Sequence, residues 1–570
     1  MIWWVENLER FRLERAAIDA LAGREGWLTV LKWRADDEHR LILDADIQLE
    51  EGSRPISLRY PNHFPFSPPL VIPRGETTRW SAHQYGAGGE LCLEYGPDNW
   101  DHGITGADMI ESAHSLLSQE APMPNGVASD VPSRHSLTIG QSLRGSFRRF
   151  ILSEAVSQHL QSCPVGTVIE GKVCVRWRRD LITYGTRSWG SDPVWKDASE
   201  PKTLWWDGFD RPASYARIDT QAFWPRTDSV ENFWADLACT TGIESSDEQF
   251  VLLRRENYFM AVEVVKEDLR HVDLLFTSTD NRRRGSDHDA LADRKVGIVG
   301  CGSIGSKVAV SLARAGVGKF LLVDDVVLLP ENMVRHELDW RDVGSHKAES
   351  VSRRIDLVNP YTEVTVRQHR LGGQEASGGV ETLVEALAEC DLLIDASATP
   401  EVFNYLSASA FIGGKPMIWA EVYAGGIGGL VARHRPGIEP EPAMMRRAIE
   451  NWCADQGLPI ERDTAGYETG SSAAPIVADD ADVSVIAAHA TRFAIDQLIP
   501  RNPSIFPYAA YFIGLAPGWL FSQPFETRPV EIALPAPEAP SAGLSEAEAF
   551  EERTHAIEIM IGGGDGTPAP

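Results

Sequence analysis

The residues with the most direct chemistry lie in Gly300-Cys-Gly-Ser-Ile-Gly305, between an apolar run and a helical pattern. Glycines at such a junction let backbone approach phosphate, and the N–H groups that open the helix face it. Asp324 follows Gly305 by 19 residues at the end of the next apolar run, where a carboxylate can hydrogen-bond a ribose hydroxyl. Alone, this pattern binds a nucleotide, with NAD the default ligand. A glycine turn serving only helix packing is the bland reading, and the strand-turn-helix context weighs against it.

The residues beyond Asp324 favour ATP. Asn332 and Arg335 lie on the following loop, and Lys347 opens the next helix. A dehydrogenase needs no such polyphosphate clamp. Attack on an α-phosphate does, because pyrophosphate leaves with added negative charge that fixed cations stabilise. Asp395 ends the apolar run 392–395 at the carboxyl edge of the sheet, where ligands collect. A carboxylate there can hold Mg2+. Singly, Arg335 and Lys347 read as solvated charges and Asp395 as a helix cap; their joint order and spacing favour the functional reading.

Seven cysteines are scattered along the chain with no C-x-x-C pair, which argues against zinc ribbons and a disulfide scaffold and suits a reducing cytoplasm. Cys92 follows a glycine turn and precedes the loop to Trp100, a setting that exposes a thiol to acyl exchange. A lone cysteine is usually a small buried hydrophobe.

These residues need elements to hold them. A chain of 570 residues exceeds what one core serves, so several domains are expected. Residues 2–23 read as an amphipathic helix, and 27–33, 40–49 and 55–60 as strands. Phe64 to Val71 is extended around three prolines, and 105–118 is a helix with Thr105 and Asp108 placed for a capping box. Residues 140–160 read as helix. Strand-like runs follow, including 168–178 and 258–265, and the pair Trp205-Trp206 reads as core. From Lys295 strands and helices alternate, which means a parallel sheet with crossover helices. After Pro535 the composition turns to Ala, Pro and Glu, a flexible tail. The net charge of −28 argues against nucleic acid or an anionic membrane as partner. No apolar run is long enough for a membrane span, and the opening residues do not read as a signal peptide.

Residues 295–435 resemble the ThiF/MoeB adenylyltransferases and the adenylation domain of ubiquitin-activating enzymes. The resemblance implies Gly300, Gly302 and Gly305 at the phosphates, and Asp324 on the ribose. It places Asn332, Arg335 and Lys347 at the phosphates and Asp395 on magnesium. It also implies a carrier protein ending in glycine whose carboxylate attacks ATP, an arginine borrowed from a paired domain (Arg283 or Arg284 here), and a dimer. Ala398 and Thr399 stand where the family often has Asp-Asn.

Residues 1–130 are similar to ubiquitin-conjugating enzymes through Phe64-Pro-Phe-Ser-Pro-Pro, Cys92, Trp100 and the helix after Ile104. That implies Cys92 as thioester cysteine. Where the family has His-Pro-Asn, this chain has His83-Gln84-Tyr85, with Gln84 a candidate amide donor. Asp130 is a candidate for orienting the amine. Activating enzymes carry a transfer thiol beyond the magnesium strand. Cys390 reads as core and Cys301 would collide with nucleotide, leaving Cys453, 58 residues after Asp395.

The expected fold class is multidomain: an α+β ubiquitin-conjugating-like domain (1–133), a linker or inactive adenylation-like region (134–275), an α/β Rossmann-like ThiF-type adenylation domain (276–535) and a tail (536–570). The order resembles fused enzymes of bacterial ubiquitin-like systems, including antiphage-defence operons. The expected activity is ATP- and Mg2+-dependent activation of a ubiquitin-like protein, relay through Cys453 and Cys92, and ligation to a target amine, for which a nucleotidyltransferase of a defence operon is one candidate. The alternatives are a sulfur-carrier adenylyltransferase with a non-catalytic N-terminal module, and a non-catalytic scaffold.

Overall fold

The computed structural model describes residues 2–50, 52–75, 80–81, 83–85, 88–119, 139–179, 181–190, 194–219, 222–277, 285–371, 377–457, 478–499, 501–532 and 545–562. Asp130, Arg283, Arg284 and the onset of the expected tail lie outside them. The chain divides into two units, Met1–Gly145 and Ser146–Pro570.

In the first unit, helix α1 (Leu8–Arg24) begins where the Asn7 side chain accepts from the Arg10 N–H, one residue after a short turn at Trp3–Glu6. The expected single helix is therefore broken by its cap. Strands β1 (Leu28–Ala35), β2 (Leu41–Leu49), β3 (Gly52–Arg59) and β4 (Leu70–Pro73) form an antiparallel meander in that order. Helix α2 (Gly106–Gln119) follows, and Asp108 accepts from both the Thr105 N–H and its hydroxyl at 2.7 Å. Ile18 and Leu21 of α1, Leu43, Ala45 and Ile47 of β2, and Ile110 and Ala113 of α2 share one core. Buried Glu14 accepts from Tyr60 and from the Gly106 N–H and pairs with Arg10. It ties the two helices together without leaving a buried charge alone.

The second unit opens on a closed barrel of β5 (Arg148–Leu152), β6 (Val168–Arg178), β7 (Leu181–Trp189), β8 (Phe209–Arg217), β9 (Glu248–Arg255), β10 (Tyr258–Val265) and β11 (Asp268–Phe276), in the order β10-β11-β5-β7-β6-β8-β9. This corrects the adenylation-like expectation for the stretch, since a closed barrel is not an open parallel sheet. It also corrects the helix expected over 140–160. Strand β5 occupies its middle, and Ser153 then caps α3 (Glu154–Gln161) by accepting from the Val156 N–H. Trp205 is buried and donates to Glu200, whereas Trp206 is exposed. Helix α4 (Val230–Thr241) completes this part.

The remainder is an eight-stranded sheet. It comprises β12 (Lys295–Val299), β13 (Lys319–Val323), β14 (Glu363–Arg367), β15 (Leu392–Asp395), β16 (Met417–Tyr423), β17 (Gly428–His434), β18 (Ala510–Gly514) and β19 (Thr527–Val530), ordered β14-β13-β12-β15-β16-β17-β18-β19. The first five are parallel and the last three are added antiparallel. Helices α5 (Ser303–Ala315), α6 (Lys347–Val358), α7 (Ser377–Ala388), α8 (Pro400–Gly413), α9 (Pro442–Asp455) and α10 (Asp480–Leu498) cover the sheet, and α11 (Glu546–Gly562) ends the described chain. Val296 and Ile298 pack with α5, α6 and α10, while Val299 and Leu393 pack with α7, α8 and α9. Both faces are dry, which is why these strands read as unbroken apolar runs. The order 14-13-12-15 reverses direction between β12 and β15, so the crevice outside their carboxyl ends is a topological switch point.

Candidate functional site

The loops after β12 and β15 meet at that switch point. Gly300 has φ +90°, and a Cβ there would come within 2.8 Å of Ala396 and Ser397 backbone. A Cβ at Gly305 would meet the Gly300 carbonyl oxygen at 1.8 Å, whereas one at Gly302 would meet nothing within 4 Å. Each glycine thus has its own reason: turn, open space before the helix, and close strand–helix contact. The first intrahelical bond of α5 runs from the Ser306 N–H to the Gly302 carbonyl, so the N–H groups before Ser306 open toward the space above Gly302. That cradle fits a phosphate chain.

Asp324 directly follows β13 and holds the turn from below. It accepts from the Cys301 N–H at 2.6 Å and the Val326 N–H at 2.8 Å. Burial raises its pKa; those two N–H groups and the nearby Lys347 charge oppose the rise. Lys347 opens α6 and acts electrostatically on Asp324, Cys301 and His336 alike, so its ammonium belongs to this cluster. Asn332 accepts from the Leu329 N–H at 2.9 Å, which leaves its amide NH2 to donate. Arg335, half-buried, closes the same turn through a bond from its N–H to the Asn332 carbonyl.

The sequence reading missed His336. Buried beneath the phosphate turn, it bonds the Cys301 carbonyl through Nε2 at 2.9 Å and takes the Leu338 N–H on Nδ1 at 3.2 Å. Burial lowers its pKa to about 4, so it is neutral at physiological pH.

Asp395 is buried, and its pKa is pushed up to about 6 by burial against the opposing bonds from Ser397. One oxygen accepts from the Ser397 N–H and hydroxyl, at 3.0 and 2.7 Å. The carboxylate lines a pocket with Thr399, Phe403, Trp419, Glu421 and Arg446. Two acids against one arginine make the pocket a cation acceptor, and oxygen donors suit a hard divalent ion. Among the described residues no cluster of three or more ligating side chains exists, so phosphate oxygens and water would have to complete the shell of a magnesium ion held here. Ala398, at the lip, has φ +57° without being glycine, a strained conformation beside the carboxylate.

The two thiols differ. Cys453 is fully buried on α9 with Met445 and Ile449, and burial first, then Glu450, raises its pKa to about 11. Packed and protonated in this fold, Cys453 offers no surface thiolate, which the transfer role expected of it requires. The signal was in the sequence, since Met445, Ile449 and Cys453 recur every fourth residue on one helix face. Of the seven cysteines, Cys239 is exposed, Cys92 half-buried and the rest buried.

Cys92 lies on a short hairpin-like pairing. Its N–H donates to the His83 carbonyl at 2.7 Å, and Gln84 bridges Leu91 in antiparallel register. Gln84 and Leu91 are buried, so His83, Tyr85 and Cys92 lie on the outer face. Gln84 accepts from the Trp80 N–H and donates to the Gly89 carbonyl, which corrects its assignment as an oxyanion donor. Tyr85 hydrogen-bonds the Cys92 sulfur; partial burial, then the charges of Cys92 and Glu90, raise the phenol's pKa. A protonated phenol beside sulfur is a donor to thiolate.

Residues 281–447, from just before β12 into α9, match the model of the ThiF family, so this stretch is a ThiF-family domain. Several known proteins match part of the chain. The chain is 30% identical over 219 residues to the protein y4qC of Sinorhizobium fredii, covering 37% of each. It is 30% identical over 151 residues to the ATP-dependent ubiquitin transferase-like protein Cap2 of Pseudomonas aeruginosa, covering 26% of this chain and 24% of that one. It is 31% identical over 140 residues to the sulfur carrier protein ThiS adenylyltransferase of Escherichia coli, covering 24% and 52%. The chain thus spans 37% of the length of y4qC and about half or less of the other two. Among solved structures, E. coli MccB with ATP aligns at TM-score 0.34 and 19% identity, over 43% of this chain and 67% of that one.

Proposed function

We propose that the chain adenylates the C-terminal glycine of a ubiquitin-like protein with ATP and carries the acyl group on Cys92 for ligation to an amine on a target protein. The carrying observation is the convergence at one switch point of the open Gly302 cradle, Lys347 and Asp324 on one side and buried Asp395 on the other. In this reading the backbone N–H groups and Lys347 hold the phosphates, Arg335 and Asn332 steady the leaving pyrophosphate, and the carrier carboxylate attacks the α-phosphate. Magnesium, when bound at Asp395, would neutralise charge on the phosphate oxygens. A cysteine then attacks the acyl-adenylate, AMP leaves, and the thioester keeps the acyl group reactive.

The antiparallel meander with helices before and after it, and a half-buried cysteine on its loop, support a ubiquitin-conjugating-like role for residues 1–133. Cap2, by its name an ATP-dependent ubiquitin transferase-like protein, supports the same reading. The ThiS adenylyltransferase favours the second reading, sulfur-carrier activation without ligation. One experiment separates them. The purified chain is incubated with ATP, Mg2+ and small proteins ending in glycine, and adducts are read by mass spectrometry with and without thiol reductant. A reductant-sensitive adduct on Cys92 and a stable adduct on lysine are expected. AMP formation that persists in Cys92→Ala, with no lysine adduct in wild type, supports the second reading. Binding of NAD in preference to ATP defeats both.

A further inference from the structure

His336 has no part in the nucleotide chemistry described above, yet it is buried against the element that must meet the phosphates. Its Nδ1 accepts from the Leu338 N–H, so the proton sits on Nε2 and is donated to the Cys301 carbonyl. In a trans peptide the C=O and the following N–H point opposite ways. Holding the Cys301 carbonyl inward therefore aims the Gly302 N–H outward, where a Cβ at Gly302 would find open space. The Cys301 N–H is already taken by Asp324. With both flanking groups engaged, the peptide between Cys301 and Gly302 has one orientation.

The same strip is stitched further along. The Glu337 N–H reaches the Ser306 hydroxyl at 3.4 Å, and Leu338 is buried in the core with α5. Arg335 directly precedes this latch, so the backbone that carries the arginine and the turn that cradles phosphate are fixed to each other.

We propose that His336 is a positioning residue for the phosphates of ATP: it locks the Cys301–Gly302 peptide in the anion-facing orientation and ties Arg335's loop to it. This rests on the nucleotide reading above. A purely structural histidine would support the fold without distinguishing phosphate from the rest of the nucleotide.

The test compares Kd values for ATP and adenosine, by competition against a fluorescent ATP analogue, in wild type, His336→Leu and His336→Gln. Leucine should weaken ATP roughly five- to tenfold, the effect of one lost hydrogen bond, and leave adenosine within about twofold. Glutamine, which can both donate to Cys301 and accept from Leu338, should restore ATP binding to within about twofold of wild type. Unchanged ATP binding in His336→Leu, or equal losses for ATP and adenosine, overturns the proposal. A wild-type chain that binds no ATP overturns the nucleotide reading itself, and the two failures are thereby distinguished. If His336→Leu does not fold, 15N-histidine spectra of wild type decide: a proton on His336 Nε2 whose signal shifts with ATP supports the latch, and a proton on Nδ1, or no shift, overturns it.

Discussion

Asp395 sets burial against ionisation. Its pKa is about 6, above the usual carboxylate value, because burial disfavours the charge. A carboxylate with a raised native pKa contributes stability that is fully present below the unfolded pKa and is lost as pH rises through about 6. Asp395→Asn should therefore stabilise the metal-free protein by roughly 2–3 kcal/mol at pH 8, with the gain vanishing toward pH 4. Denaturant melts at the two pH values check this; an equal effect at both would mean that the charge is not what costs stability. The same variant should lose ATP–pyrophosphate exchange by about a hundredfold or more. Tyr85 makes an opposite kind of contribution, as a donor to the Cys92 sulfur. Removing its hydroxyl in Tyr85→Phe should take a hydrogen-bond donor from the sulfur and slow alkylation of Cys92 by iodoacetamide about two- to tenfold at pH 7. Peptide mapping separates this from reaction at exposed Cys239, and an unchanged rate would remove Tyr85 from any part in tuning the thiol.

The phosphate turn ties glycine chemistry to the packing of β12, α5 and β15. At Gly302 an added methyl meets nothing and the backbone has ordinary φ −77°, so Gly302→Ala should melt within about 0.5 kcal/mol of wild type yet bind ATP poorly, because the methyl fills the phosphate space. At Gly305 the methyl would lie 1.8 Å from a backbone oxygen, so Gly305→Ala should cost about 1–3 kcal/mol or more and lose binding through the fold. Melts and ATP titrations on both variants check the contrast; equal melting points would contradict it. The sequence already separated these elements. The parallel strands are buried on both faces and read as apolar runs, and the glycines, Asp324, Lys347 and Asp395 all fall at strand or helix ends where a pattern search finds them. The barrel was illegible, because its closure depends on pairings such as β5 with β11, far apart in the chain. His336 was illegible for a similar reason, its partner Cys301 being 35 residues away. The burial of Cys453 was legible in its place on an apolar helix face with Met445 and Ile449.

The whole chain divides into Met1–Gly145 and Ser146–Pro570, each with its own hydrophobic core. Within the larger unit the barrel and the sheet are joined by specific bonds: the carboxylate of Asp356 on α6 accepts from the Thr203 hydroxyl at 3.0 Å and from its N–H at 3.1 Å. The residues assigned to ATP all lie in this unit, whereas Cys92 lies in the smaller one. Independent cores of this size should fold independently. A chain of residues 146–570 should therefore melt cooperatively and bind ATP with a Kd within about twofold of the full chain, while forming no adduct at the target amine. The isolated smaller unit should keep a Cys92 that alkylates at the full-chain rate. Calorimetric melts and ATP titrations on the two halves decide the matter. A larger unit that folds but binds ATP at least tenfold more weakly would place a nucleotide contact in residues 1–145, and the assignment of the whole ATP site to the sheet would have to be withdrawn.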